Sequence, residues 1–175
     1  AYGVIANLVI VVLSIFTGIA QGMQPLISRA CGSRAFEQAR QFLRYGVYAV
    51  ALISAVIYLG IFIFAAPITA VFNREHNTVL QQIAETGLKL YFTGIVFAGF
   101  NIILSIYFTS MEKPLPAHVL SILRGLLFII PLAFLLSALL GITGVWLAFP
   151  AAELLAAVLG AIMYRYLYSF FIENP

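Results

Sequence analysis

Five long apolar runs, separated by short polar or basic breaks, organise this chain. Residues 1–28 carry no charge, and the segment 29–44 then holds Arg29, Arg34, Arg40 and Arg44 against Glu37. Residues 45–73 are again charge-free, up to the polar turn 73–78. A third run starts near Val79, carries Glu85 and Lys89 early, and is uncharged from Leu90 to Met111. Glu112-Lys113-Pro114-Leu115-Pro116 stops it, because proline lacks a backbone donor and restrains the residue before it. Two further runs, 117–140 and 145–168, flank the short turn Gly141-Ile142-Thr143-Gly144. A helical membrane span needs about 20 mostly apolar residues, whereas a membrane strand needs about 10 and alternates. The pattern therefore predicts an all-α membrane protein with helices at about 1–28, 45–73, 79–111, 117–140 and 145–168. The breaks are short, so successive helices are antiparallel neighbours in one membrane domain spanning residues 1–175.

Composition fixes the solvent. Of 175 residues 63% are hydrophobic and 9% charged, and mean hydropathy is +1.08. A soluble domain carries about 25% charged residues. Net charge is +3, and all six acids are Glu. No basic run with interleaved aromatics is present, so the basic balance reflects loop arginines rather than nucleic-acid binding. The single cysteine, Cys31, excludes an intramolecular disulfide and a cysteine-based metal site. The chain opens in an apolar run without Met, which raises the expectation that it continues a longer protein.

Charge also suggests orientation. Arg29, Arg34, Arg40, Arg44, Lys113 and Arg165, with Arg124 nearby, fall on one side, against Arg74 and Lys89 on the other. The positive-inside rule puts the first set in the cytoplasm, with the N-terminus outside and the C-terminus inside. Aromatic belts are expected at Tyr45, Tyr48, Tyr164, Tyr166 and Tyr168 inside, and at Trp146 outside.

The first helix carries a polar stripe. Asn7, Ser14, Gln21 and Ser28 recur every seven residues, and Thr17 and Gln24 follow three residues after Ser14 and Gln21. Seven residues are nearly two turns, so these side chains share one face. Such a face either bonds to other helices or lines a wet cavity. Gly18 and Gly22 form a GxxxG on the adjoining strip, and Ala148, Ala152, Ala156 and Gly160 make a small-residue ridge on the last helix. Thr93, Asn101, Ser105 and Thr109 mark a slowly turning face of the third helix. Asn101 there makes an interhelical bond or lines a pore.

Two charges lie at membrane depth. At 1.5 Å per residue Arg124 sits roughly 10 Å from the inner end of its helix and Glu153 roughly 12 Å from the outer end of the next. Their levels let them nearly meet. Arg124 either snorkels to the headgroups or turns inward; Glu153 is either a structural hydrogen-bond or ion-pair partner or a proton or cation site. Catalysis finds no support: the two His, His76 and His118, are isolated, and no HExxH, paired acids or phosphate-binding glycine pattern occurs. No cofactor is expected.

GIAQGMQPLISRACGSR at 18–34, a long apolar helix ending at Pro67, GFNIILSIYFTSMEKP at 99–114 and ILRGLLFIIPLAFLLSALLGITGVWLAFPAAE at 122–153 occur in that order. Together they resemble the multidrug and toxic compound extrusion (MATE) family over nearly the whole chain. The resemblance implies five transmembrane helices of a six-helix transporter lobe, the C-terminal lobe without its first helix, partnered by an N-terminal lobe of the same chain. It implies a multi-pass protein of the cell membrane that expels amphipathic, often cationic small molecules by H⁺- or Na⁺-coupled antiport and alternating access. Asn7, Ser14, Thr17, Gln21, Gln24, Asn101 and Ser105 would then lie near the substrate cavity. Gln21→Leu and Asn101→Leu would each be expected to change the drug spectrum. Some members hold a cation on an acid in the third of these helices; here that place reads Gly99-Phe100-Asn101, which moves the coupling carboxylate toward the N-terminal lobe and leaves Glu153 without an assigned role. The alternatives are a flippase for lipid-linked sugars of the same superfamily, with Arg124 as its one candidate cavity cation, and a non-transporting membrane subunit.

Overall fold

The computed structural model describes residues 2–72 and 77–173, with side chains described up to Tyr166. Arg74 and most of the turn that contains it lie outside the described residues, as does the side chain of Tyr168. The described chain is helical throughout: α1 (Tyr2–Gly32), α2 (Phe36–Phe72), α3 (Thr78–Phe92), α4 (Ile95–Ser110), α5 (Pro114–Ile122), a π segment (Leu123–Phe128), α6 (Ile129–Leu140) and α7 (Ile142–Glu173). These make five helical stretches long and apolar enough to cross a membrane, with α3 and α4 forming one and α5 to α6 another. All backbone groups of a span must be bonded internally in lipid, and helices satisfy that demand.

Three departures from the sequence reading matter. The basic segment 29–44 is not a loop: α1 runs to Gly32 and α2 already starts at Phe36, so Arg40 and Arg44 are helical. Only Ser33, Arg34 and Ala35 turn the chain, and Arg34 takes φ 56° to do so. Secondly, the third span is broken at Thr93-Gly94, where the Thr93 hydroxyl donates to the Leu90 carbonyl at 2.6 Å. A Cβ on Gly94 would sit 2.8 Å from Pro150 Cα of α7, so only glycine allows this approach. The ring of Tyr91 stacks on Phe149 across the same junction, with centroids 4.4 Å apart. Finally, Trp146 stands at the outer end of α7, as expected, but faces protein instead of headgroups. It is 5% exposed and lies over Gly87, whose absent side chain makes room for the indole.

The core lies between α1, α2, α4 and α7. Phe16, Val50, Ile103, Leu104, Phe108 and Leu120 are all but completely buried. Gly99 lets α4 approach Phe16 of α1 and Val50 of α2. The small-residue ridge packs as expected: Ala148, Ala152 and Ala156 are buried, and Gly160 lies under Leu104 and Leu120. On the far side Gln81 latches α3 to α2, its amide donating to the Ala66 carbonyl at 3.0 Å and to Thr69 Oγ1 at 2.7 Å. Tyr45, Tyr48 and Tyr166 are exposed at the basic end, as an aromatic belt requires.

Glycine contacts generate a paired test. Gly94→Ala places a methyl group against backbone and should destabilise the protein by about 1–3 kcal/mol. Gly60→Ala, in a helix with open space at its Cβ, should stabilise by about 0.5–1 kcal/mol. Thermal unfolding in detergent should show opposite shifts.

Candidate functional site

One buried polar cluster joins three helical stretches inside the bilayer. Asn101 stands in the second turn of α4, with no exposed surface. Its amide nitrogen donates to the Glu153 backbone carbonyl at 2.9 Å and to Glu153 Oε2 at 2.7 Å. Both partners are acceptors, which fixes which end of the amide faces them. Glu153 of α7 is 5% exposed, and its other oxygen lies 3.6 Å from Arg124 Nε. That separation makes an ion pair and is too long for a good hydrogen bond.

Local sequence explains how the three meet. The Gly94–Pro150 contact and the alanine ridge bring α4 and α7 close enough for a short Asn side chain to reach the α7 backbone. Arg124 is the second residue of the π segment. A π turn widens the helix and shifts the side-chain register, and such turns frequently occur at functional sites. Pro131 follows in α6; lacking an N–H, it cannot bond the Leu127 carbonyl within the π segment.

Arg124 therefore points into protein: its side chain is 22% exposed and its head lies on Glu153. Among the described residues Asn101 Oδ1 is buried without a hydrogen-bond partner. The cluster thus keeps one acceptor in reserve beside an ion pair. No group of three or more His, Cys, Asp or Glu is assembled for a metal among the described residues.

The α1 stripe is separate from this cluster. Asn7, Ser14, Gln21 and Ser28 are exposed, and Thr17 and Gln24 are half-buried. The Ser14 and Thr17 hydroxyls bond back to the Ile10 and Leu13 carbonyls of their own helix, each at 2.8 Å. The packed face of α1, with Ile5, Val9, Val12, Phe16, Ala20 and Ile27, lies opposite. Gly18 and Gly22 lie on the open side, where a Cβ at either position would meet nothing within 4 Å. The structure separates Asn101 from this stripe and places it with Glu153 and Arg124; Ser105 is half-buried one turn further along α4. The sequence left an interhelical bond open for Asn101 and a hydrogen bond open for Glu153; what it did not show is that the two are partners, since contacts 52 residues apart leave no periodic signal.

Comparison with known proteins decides the family. The MatE family model matches residues 1–135. The chain belongs to the MatE family. A curated relative named "FAD transporter", from Shewanella oneidensis, is 25% identical over 162 residues, 90% of this chain and 34% of its own length. Another, "Probable multidrug resistance protein YoeA" of Bacillus subtilis, is 27% identical over 154 residues, 87% of this chain and 33% of its own. The chain thus spans about a third of the length of these MatE relatives. Two solved structures, the inward-facing and outward-facing conformations of a multidrug resistance MATE family transporter of the MOP superfamily, share the fold with TM-scores of 0.90 each. They are 20% and 19% identical, covering 97% and 99% of this MatE chain and 39% of each of those chains. The chain is a multi-pass membrane protein with a transporter fold.

The cluster makes a stability prediction. Glu153→Ala strands the Arg124 guanidinium and the Asn101 amide, and should cost about 3 kcal/mol. Glu153→Ala combined with Arg124→Leu should recover a large part of that loss. Thermal unfolding of the single and double variants measures the coupling; equal losses in both would remove the ion pair from the account.

Proposed function

We propose that this chain forms five of the six helices of one lobe of an efflux transporter that moves amphipathic, often cationic small molecules by antiport against H⁺ or Na⁺. The observation that carries the reading is the open face of α1. A helix with a fully packed apolar face presents, on its opposite side, Asn7, Ser14 and Gln21 to the outside of the lobe. The Ser14 hydroxyl is satisfied within its own helix, but the Asn7 and Gln21 amides would be costly to leave in lipid, and a wet cavity or a facing lobe would account for them. Equal likeness to inward- and outward-facing structures supports a lobe that moves as a rigid unit. In the full protein the basic end, with Arg29, Arg34, Arg40 and Arg44, would face the cytoplasm, and the C-terminus with it.

The stripe offers hydrogen bonds without fixed charge between Asn7 and Ser28, which suits lipophilic cations and neutral amphipaths. The two curated relatives carry names for different cargo, so the stripe's own chemistry guides the choice. A flippase for anionic lipid-linked sugars gains little, because Arg124 is already engaged with Glu153. Glu153 supplies a carboxylate at membrane depth, paired with Arg124, and is the candidate coupling group of this chain.

Two outcomes test this in the full-length transporter. Gln21→Leu should change the relative efflux of cationic dyes by several-fold without altering thermal stability. An unchanged efflux profile counts against the cavity role. Glu153→Gln should shift the pH or Na⁺ dependence of dye efflux; an unchanged dependence leaves Glu153 with a structural role alone.

A further inference from the structure

At the basic end of the lobe, α2, α4 and α7 enclose a groove of about 460 Å³. Its rim carries three guanidinium side chains, Arg40 and Arg44 from successive turns of α2 and Arg165 from α7. Its floor is apolar, with Leu43, Phe100 and Leu104 among its lining. No carboxylate lines it among the described residues; Glu37 stands a turn before Arg40 on α2, and both Glu37 and Arg40 make interactions of their own, so the site rests mainly on Arg44 and Arg165. The volume falls in the range of small-molecule sites, roughly 300–1,000 Å³.

The position in the bilayer limits the occupant. The charge-free run of α2 starts at the residue after Arg44, and that of α7 ends at the residue before Arg165. Both arginines therefore mark the ends of charge-free runs, the level at which hydrocarbon would give way to headgroups. Tyr48 and Tyr164, which also line the groove, are residues of that same interfacial level. A soluble anion would gain the guanidinia and leave the floor unused. A zwitterionic lipid would fill the floor and bring its own ammonium to three cations. An anionic phospholipid satisfies both parts, and basic pockets between transmembrane helices are suited to such headgroups.

We propose that this groove binds an anionic phospholipid, its phosphate held among Arg40, Arg44 and Arg165 and one acyl chain lying over Leu43, Phe100 and Leu104. Arginine suits this task because its planar fork pairs with two phosphate oxygens at once. The site is independent of the α1 face and of the Glu153 cluster, so it holds whichever cargo the transporter moves.

The test uses the full-length transporter in neutral detergent, with cardiolipin, phosphatidylglycerol, phosphatidylcholine and inorganic phosphate as separate additions. Native mass spectrometry should show bound cardiolipin or phosphatidylglycerol at least five-fold above phosphatidylcholine, and inorganic phosphate should not compete. R40Q/R44Q/R165Q should reduce that preference at least five-fold, whereas Arg29→Gln with Arg34→Gln should leave it intact. Should the triple variant fail to fold, Arg165→Gln alone should lower anionic-lipid occupancy at least two-fold. Retention of the preference in the groove variants, equal loss in the Arg29/Arg34 control, or displacement by inorganic phosphate would overturn the proposal.

Discussion

A carboxylate inside a bilayer must be matched, and Glu153 is matched from two sides. Asn101 gives it a hydrogen bond from α4, and Arg124 gives it a counter-charge from the π segment. An unmatched charge in hydrocarbon costs several kcal/mol, so these three residues hold their helices in one arrangement. Their meeting depends in turn on residues with little side chain. Gly94 admits Pro150, and Ala152 and Ala156 bring α4 and α7 into backbone proximity. The irregular features of the lobe, a broken span and a π turn, both lie beside this cluster, where they set side-chain register rather than interrupt packing.

With the interior held in this way, the outer face of α1 is left unpacked. Its packed residues face α2 and α4, and its amides and hydroxyls face outward. In the proposed transport mechanism two lobes rock against each other, which would call for a rigid body behind a polar surface; the clamp and the stripe fit those two parts. The third polar feature, the arginine-lined groove between α2, α4 and α7, lies at the basic end of the lobe and belongs to neither.

The fold was largely legible because charge in this chain is scarce. Runs without charge marked the spans, and their short separations implied antiparallel neighbours. Helix ends were less legible: amphipathic basic residues such as Arg40 and Arg44 extend α2 beyond its apolar run, since arginine is a good helix former and its charge reaches water. The break at Gly94 was not visible, because it depends on Pro150, a residue 56 positions away. Depth arithmetic brought Arg124 and Glu153 to nearly one level, and the structure joins them. Periodicity showed that Asn101 and the α1 stripe are polar positions on helices. It could not show that Asn101 turns inward to Glu153 while Gln21 faces out, because rotation of a helix about its axis is set by packing.

The central claim is that the polar side of α1 meets water while its apolar side is packed. Thiol accessibility in the full-length transporter tests this most directly. In a cysteine-free background, with Cys31→Ser, single cysteines would replace Ser14, Gln21, Phe16 and Ala20. Cysteines at 14 and 21 should react with a membrane-impermeant, water-soluble thiol reagent at least ten-fold faster than those at 16 and 20. Equal protection at all four positions would mean that the stripe is sealed, and would contradict the account.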